Sequence, residues 1–372
     1  MTARLRSYVA LAVVPALSIL LALLVASVLI IASGLIGAEQ RLDLLLPLAA
    51  YRSLLEGAFG SAKGIANMIV AATPLMLTGL AVGVGLKAGL FNIGATGQVL
   101  LGGFTASLVG AQFAGAPPAL AIPLAVVGGI LAGALAGFIP GFLKAYTGAH
   151  EVVTTIMLNA LIQLIVSGLV NDLFRAPGFS FARTAPVGTA ELVGVGGTTL
   201  HVGVLIAFAC IPISYWLLWR TTVGFEIRAV GANPTAARYA GMSPRRMIIL
   251  TMSLCGVFAG LAGTVEILRL GYYPAIFGTS IGFDGITVAL LGRAHPFGIM
   301  LAALLLGAMR AGAPLMQIQA QVPVEIIDVI QGVILVFLAA EVVVRRIFRL
   351  TAVAGAGELQ TITRSYGEKV AG

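Results

Sequence analysis

The chain has 372 residues, of which 59% are hydrophobic and only 10% are charged. A water-soluble protein of this size needs a charged shell that so few ionisable residues cannot build, so the composition excludes one. The formal charge of +8 does not point to nucleic acid, because the basic residues stand at the ends of apolar segments, where they set orientation and meet anionic headgroups.

Arg4 and Arg6 precede an apolar run from Val9 to Ile36. That run is too long for the hydrophobic region of a signal peptide and predicts an uncleaved first span. Windows of about 20 apolar residues place further spans near 66–86, 97–115, 119–143, 152–170, 202–219, 247–268, 283–294, 296–316 and 325–344. The expectation is an all-α polytopic membrane protein of about ten transmembrane helices, the eighth one short. With the N-terminus inside, inner segments hold 15 of the Lys and Arg residues and outer segments six, with Arg310 inside a span. That bias predicts both termini in the cytoplasm. Trp216 and Trp219 beside Arg220 suit an inner interfacial belt. Residues 1–350 form the transmembrane domain on this reading, and residues 351–372 a polar cytoplasmic tail.

Two outer segments are substantial. Residues 37–65 include an amphipathic stretch suited to the outer membrane surface. Residues 171–200, rich in Gly, Thr and Ala, predict an irregular loop. Gly129, Gly133, Gly137 and Gly141 form an i, i+4 ladder in the fourth span, and Gly256 and Gly260 repeat the spacing in the seventh. Such ladders let helix backbones approach closely in lipid, so plain helix packing is the expected role. Cys210 and Cys255 fall within apolar spans and behave as small hydrophobes.

Polar groups inside spans are costly and mark either a cavity or a partner. One cluster runs from Lys87 to Gln98, where Gly85, Gly89, Gly94 and Gly97 interrupt the helix and Asn92, Thr96 and Gln98 bring hydrogen-bonding groups. Glu151, Thr155 and Asn159 follow at i, i+4, i+8 and share one helix face. Asp284 opens the short eighth span, and Arg310, Glu325, Asp328 and Gln331 follow. Short, Gly-interrupted segments in both halves of a transporter point to its translocation path, and residues 85–98 and 271–285 are such a pair. Asn92, Thr96, Gln98, Glu151, Thr155, Asn159 and Asp284 are therefore the candidate path residues. Interhelical hydrogen bonding is the competing role for each.

The longest polar interruption of the C-terminal half, residues 220–246, carries five arginines. Asn233 is placed to N-cap a short helix opened by Pro234, and Gly241 to stop it about two turns later in a left-handed conformation. Ser243-Pro244 then opens the next helix. Such a helix, tied at both ends to spans, suits receiving a push from a partner. A solvated basic loop that only obeys the positive-inside rule is the alternative. No catalytic or metal-ligand spacing appears, and no lysine follows a glycine, so a phosphate loop is absent. If nucleotide drives the protein, another chain binds it.

Five ordered motifs, GLFNIGATGQ (89–98), HEVVTTIMLN (150–159), RAVGANPTAARYAGM (228–242), GFDGITVALLG (282–292) and QGVILVF (331–337), resemble the permease subunits of bacterial ABC importers of the ribose, nucleoside and branched-chain amino acid class. The match is to the nucleoside and simple-sugar permeases, specifically the longer of their two paired permeases, over residues 60–345. The resemblance implies the type II, vitamin B12-type permease fold and a location in the bacterial plasma (inner) membrane. It implies a partner ABC ATPase that uses ATP and magnesium, no cofactor in this chain, a second and homologous permease, and an extracytoplasmic substrate-binding lipoprotein. In ABC permeases an E-A-A-x-x-x-G pattern docks into the ATPase. Here Thr235 replaces the Glu, while Ala236, Ala237 and Gly241 match, so Asn233, Pro234, Ala236, Ala237, Arg238 and Gly241 are the implied coupling residues. The implied activity is import of nucleosides or related simple sugars rather than enzymatic chemistry. An ion-coupled secondary transporter of a small polar solute, using Asp284, Glu151 and Asp328, is the other reading of the same residues.

Overall fold

The computed structural model describes residues 3–36, 43–278 and 280–340. The expected polar tail at 351–372 lies outside the described residues, as do Arg41, Arg345, Arg346, Arg349 and the side chains of Arg4 and Arg6. Among the described residues thirteen α-helices follow in order: α1 (Ala3–Ile36), α2 (Leu46–Phe59), α3 (Ala62–Lys87), α4 (Ala95–Gln112), α5 (Pro118–Thr147), α6 (Glu151–Asn171), α7 (Val202–Arg220), α8 (Thr222–Ala232), α9 (Pro234–Tyr239), α10 (Pro244–Leu270), α11 (Ser280–Leu291), α12 (Pro296–Ala320) and α13 (Ile326–Ala339). Among the described residues the one β-type pairing is an isolated bridge between Arg183 and Pro274. Residues 48–327 form one compact unit; the described residues of 1–47 and 328–340 are grouped in another.

Seven described helices are long and apolar enough to cross a bilayer: α3, α5, α6, α7, α10, α12 and, within α1, Pro15–Ser33. The other three windows coincide with α4, α11 and α13. The 18 residues of α4 include Thr96, Gln98 and Gln112, which lower its apolar character. With 12 residues, α11 rises only about 18 Å, less than the roughly 30 Å of hydrocarbon. The described part of α13 is likewise short.

In the 48–327 unit, α3 and α10 form the centre. From Ala72 to Leu86 every residue of α3 is buried, under α10, α11 and α12, and α10 is covered by α4 and α5. Glycine makes the α5–α10 seam. A Cβ added to Gly260 would lie 2.7 Å from the Gly129 carbonyl oxygen, and one on Gly133 would lie 2.6 Å from the Gly260 Cα. No side chain fits there, so backbone rests on backbone, which is how helices associate where lipid supplies no hydrophobic drive. The amphipathic stretch forms α2, which buries Ala50, Leu54 and Ala58. Its Gly57 packs on Gly312 of α12.

The 172–200 loop is irregular, as its composition predicts, and it is held by backbone pairing. Thr184 donates its N–H to Tyr273 O at 2.9 Å, Ala275 donates to Ala182 O at 2.9 Å, and Val187 donates to Gly271 O at 2.9 Å. Beneath it, the rings of Phe104, Phe174 and Tyr273 meet edge to face.

Candidate functional site

The interruption after α3 folds into an elbow. Leu90 and Ala88 both donate to Gly85 O at 2.9 Å, and Gly89 takes φ +69°, which a residue with a Cβ tolerates poorly. Asn92 then turns the chain: its Oδ1 accepts the Gly94 N–H at 3.0 Å. Its Nδ2 donates to Gln98 Oε1 at 3.0 Å, and Gln98 Nε2 donates back to Asn92 Oδ1 at 3.3 Å. Both amides are buried. Asn159 reaches across from α6 and clamps the same turn, accepting from Gly97 N at 2.8 Å and donating to Ile93 O at 2.8 Å. Thr155 stands one turn earlier and packs against Gly94, where a Cβ would come within 3.1 Å of the Thr155 Cβ. Thr96 is buried where Gly282 of α11 comes up against it.

The structure thus brings Asn92, Thr96, Gln98, Thr155 and Asn159 together at one joint of α3, α4 and α6. In this conformation the polar atoms of Asn92, Gln98, Thr155 and Asn159 bond to one another and to backbone. The other two candidates are engaged by cations. Glu151 is fully buried and accepts from Lys144 Nζ, at the end of α5, at 2.5 Å. Asp284 pairs with Arg310 of α12. Both are ion pairs between consecutive or neighbouring helices, an arrangement that offsets the cost of a charge at membrane depth.

The arginine-rich segment holds two helices where the sequence predicts one. Thr221 N-caps α8 by accepting from Gly224 N at 3.0 Å. Asn233 N-caps α9 as expected, its Oδ1 accepting from Ala236 N at 3.0 Å, with Pro234 next. The stop is a Schellman pair: Met242 N–H to Ala237 O and Gly241 N–H to Arg238 O, each at 3.0 Å, with Gly241 at φ +85°. Ala236, Arg238 and Tyr239 face out, and Tyr239 is 90% exposed. Ala237 faces inward and is only 4% exposed, so it packs on its own chain.

What the sequence reading missed is where α8 goes. Gly231, near its end, rests on the backbone of Lys87 and Ala88, and Gly89 in turn approaches Gly231 O. The arginine-rich segment therefore touches the elbow directly. A ring cluster sits beside this contact: Trp219 stacks on Tyr215 at 5.4 Å and lies 5.1 Å from His295, with Lys87 and Arg228 over the indole. Burial first, and the charge of Lys87 second, hold the His295 pKa below its usual value. The signals were Gly231 in the motif and Trp219 at the span edge, but nothing in one dimension pairs either with residue 87.

Comparison with known proteins decides what this joint belongs to. The family model described as "Branched-chain amino acid transport system / permease component" matches residues 64–339. The chain belongs to this permease family. The match takes in the elbow, α6, the arginine-rich segment and α11. Among similar proteins is the guanosine ABC transporter permease NupP of Bacillus subtilis, 37% identical over 304 residues, covering 80% of this chain and 87% of that one. The nucleoside ABC transporter permease NupB of Lactococcus lactis is 34% identical over 340 residues, covering 87% of this chain and 91% of the other. The glucose ABC transporter permease TsgB13 of Haloferax volcanii is 32% identical over 305 residues, covering 78% and 80%. No solved structure matches the chain. Family membership and the long apolar helices together make this permease a multi-pass membrane protein and a transport component rather than an enzyme.

Proposed function

We propose that this permease forms the membrane pathway of an ATP-driven ABC importer of nucleosides. The observation that carries the reading is that permeases named for guanosine and for nucleosides align with 80% and 87% of the chain. Three further polypeptides complete the machine: an ATPase that uses ATP and magnesium, a second homologous permease, and a substrate-binding lipoprotein outside the plasma membrane. On this reading ten helices cross the membrane in the type II arrangement, with both termini in the cytoplasm. The joint of Asn92, Thr96, Gln98, Thr155 and Asn159 supports a substrate path chemically, because a nucleoside stripped of water needs neutral donors and acceptors that also release it. Glu151 and Asp284 border that path through their ion pairs. The exposed face of α9, with Pro234, Ala236 and Arg238 between the Asn233 cap and Gly241, meets the ATPase.

The test is uptake by cells carrying the whole system, with labelled guanosine, uridine, ribose and glucose supplied separately and in competition. Nucleoside uptake that depends on this gene and is not displaced by glucose is expected. Uptake of glucose or ribose alone would assign the permease to sugars instead. Uptake that continues after disruption of the ATPase gene would sink the ATP-driven reading.

A further inference from the structure

Where α5 ends beside the start of α10, an apolar stripe meets a pair of arginines. Leu131, Leu135, Phe138, Phe142 and Tyr146 follow at spacings of three and four along α5, so they share a face, and all five are exposed. The Phe138 and Phe142 rings stack with centroids 5.7 Å apart, and those of Phe142 and Tyr146 lie 4.7 Å apart. From Phe138 to Tyr146 the helix rises about 12 Å, close to the roughly 15 Å depth of one leaflet's hydrocarbon. At its end the guanidinium of Arg245 sits over the Tyr146 ring, 5.7 Å from the centroid. Arg245 and Arg246 are exposed, and neither has an ion-pair partner among the described residues. The nearby carboxylate, Glu151, is fully buried against Lys144.

We propose that this corner is a binding site for an anionic phospholipid, with an acyl chain along the α5 stripe and the phosphate against Arg245 and Arg246. The charge pattern selects the occupant. Two cations without an ion-pair partner among the described residues stand where an apolar, membrane-deep stripe ends, which is the height of a lipid phosphate. A zwitterionic headgroup would bring its own cation against them. The Tyr146 ring holds Arg245 in place by cation–π attraction, so the guanidinium is set before lipid arrives.

The experiment is lipid retention by the purified full chain in mild detergent, read by native mass spectrometry with equal amounts of phosphatidylglycerol and phosphatidylcholine. The wild type should retain phosphatidylglycerol preferentially. The preference should fall on the order of tenfold in Arg245→Gln/Arg246→Gln, since each arginine near a membrane surface favours anionic lipid. Arg238→Gln on α9 should leave it unchanged. In the wild type alone, added salt should erode the preference. Equal retention of both lipids by the wild type, or a preference that survives the double substitution or high salt, overturns the proposal. So does loss of ATPase capture by the double variant with lipid preference intact, which would give the arginines to the ATPase. Cross-linking of Phe142→Cys to the second permease in membranes would make the stripe a protein interface and overturn it equally.

Discussion

The α5–α10 seam and the elbow after α3 are both glycine-rich, and glycine does opposite work in them. In the seam, Gly129, Gly133, Gly256 and Gly260 remove side chains so that two helices meet along their backbones. Nothing in that contact exchanges for water or substrate. In the elbow, Gly89 and Gly94 break the helix so that Asn92, Gln98 and Asn159 bond across the gap. Every one of those bonds is to a neutral amide or a backbone group that another polar molecule can replace. The seam rests on backbone contact alone, whereas the elbow is held by hydrogen bonds between neutral polar groups.

The largest expected effect falls on the seam. Gly133→Leu should cost on the order of 3 kcal/mol or more, because neither backbone can yield, and folded protein should be lost from membranes. Gly168→Leu on α6, where an added Cβ meets nothing within 4 Å, should leave the yield unchanged. Equal yields would show that the seam tolerates separation.

The elbow gives the sharper test. Gln98→Leu leaves a buried Asn92 amide short of its partner, which costs about 1–3 kcal/mol of stability, and nucleoside uptake should fall. Asn92→Leu/Gln98→Leu removes both amides but also takes the acceptor from the Gly94 N–H, so thermal stability should recover only in part by comparison with the single variant. Uptake should stay low if the amides serve the path. Recovery of uptake together with stability would make the pair structural only.

The arginine-rich segment extends the comparison to the exposed surface. Ala236→Glu places a charge on the outward face of α9, and the permease should remain folded while capture of the ATPase is lost. Ala237→Glu forces a charge into a contact within the chain, which costs several kcal/mol if unpaired, so here the folded protein itself should decline. Unchanged ATPase capture with Ala236→Glu would leave the segment as a topology signal.

The smallest effect concerns His201, just ahead of α7. It is buried, and neither ring nitrogen has a hydrogen-bond partner among the described residues. Burial first, then the charge of Arg269, hold its pKa below its ordinary value, with Glu266 opposing. Because the folded form resists protonation, its contribution is present above about pH 6.5 and is lost as pH falls below that unfolded value. The wild-type melting temperature should therefore drop on acidification by more than that of His201→Leu. Equal drops would place the acid sensitivity elsewhere.

Much of this permease is written locally. Helix lengths follow from apolar runs, the α9 cap from Asn233-Pro234, its stop from Gly241, and the α5 seam from a four-residue glycine repeat. Each depends on neighbours within a turn or two, so one dimension suffices. Three features came only from the fold. Asn159 reaches the elbow from a helix more than sixty residues away. Ala237 turns inward, although its helix reads as exposed. Gly231 seats α8 on the Lys87 backbone. A sequence lists the hydrogen-bonding groups that membrane burial obliges to find partners, but packing among α3, α6 and α8 chooses which partner each one finds, because several were chemically equivalent.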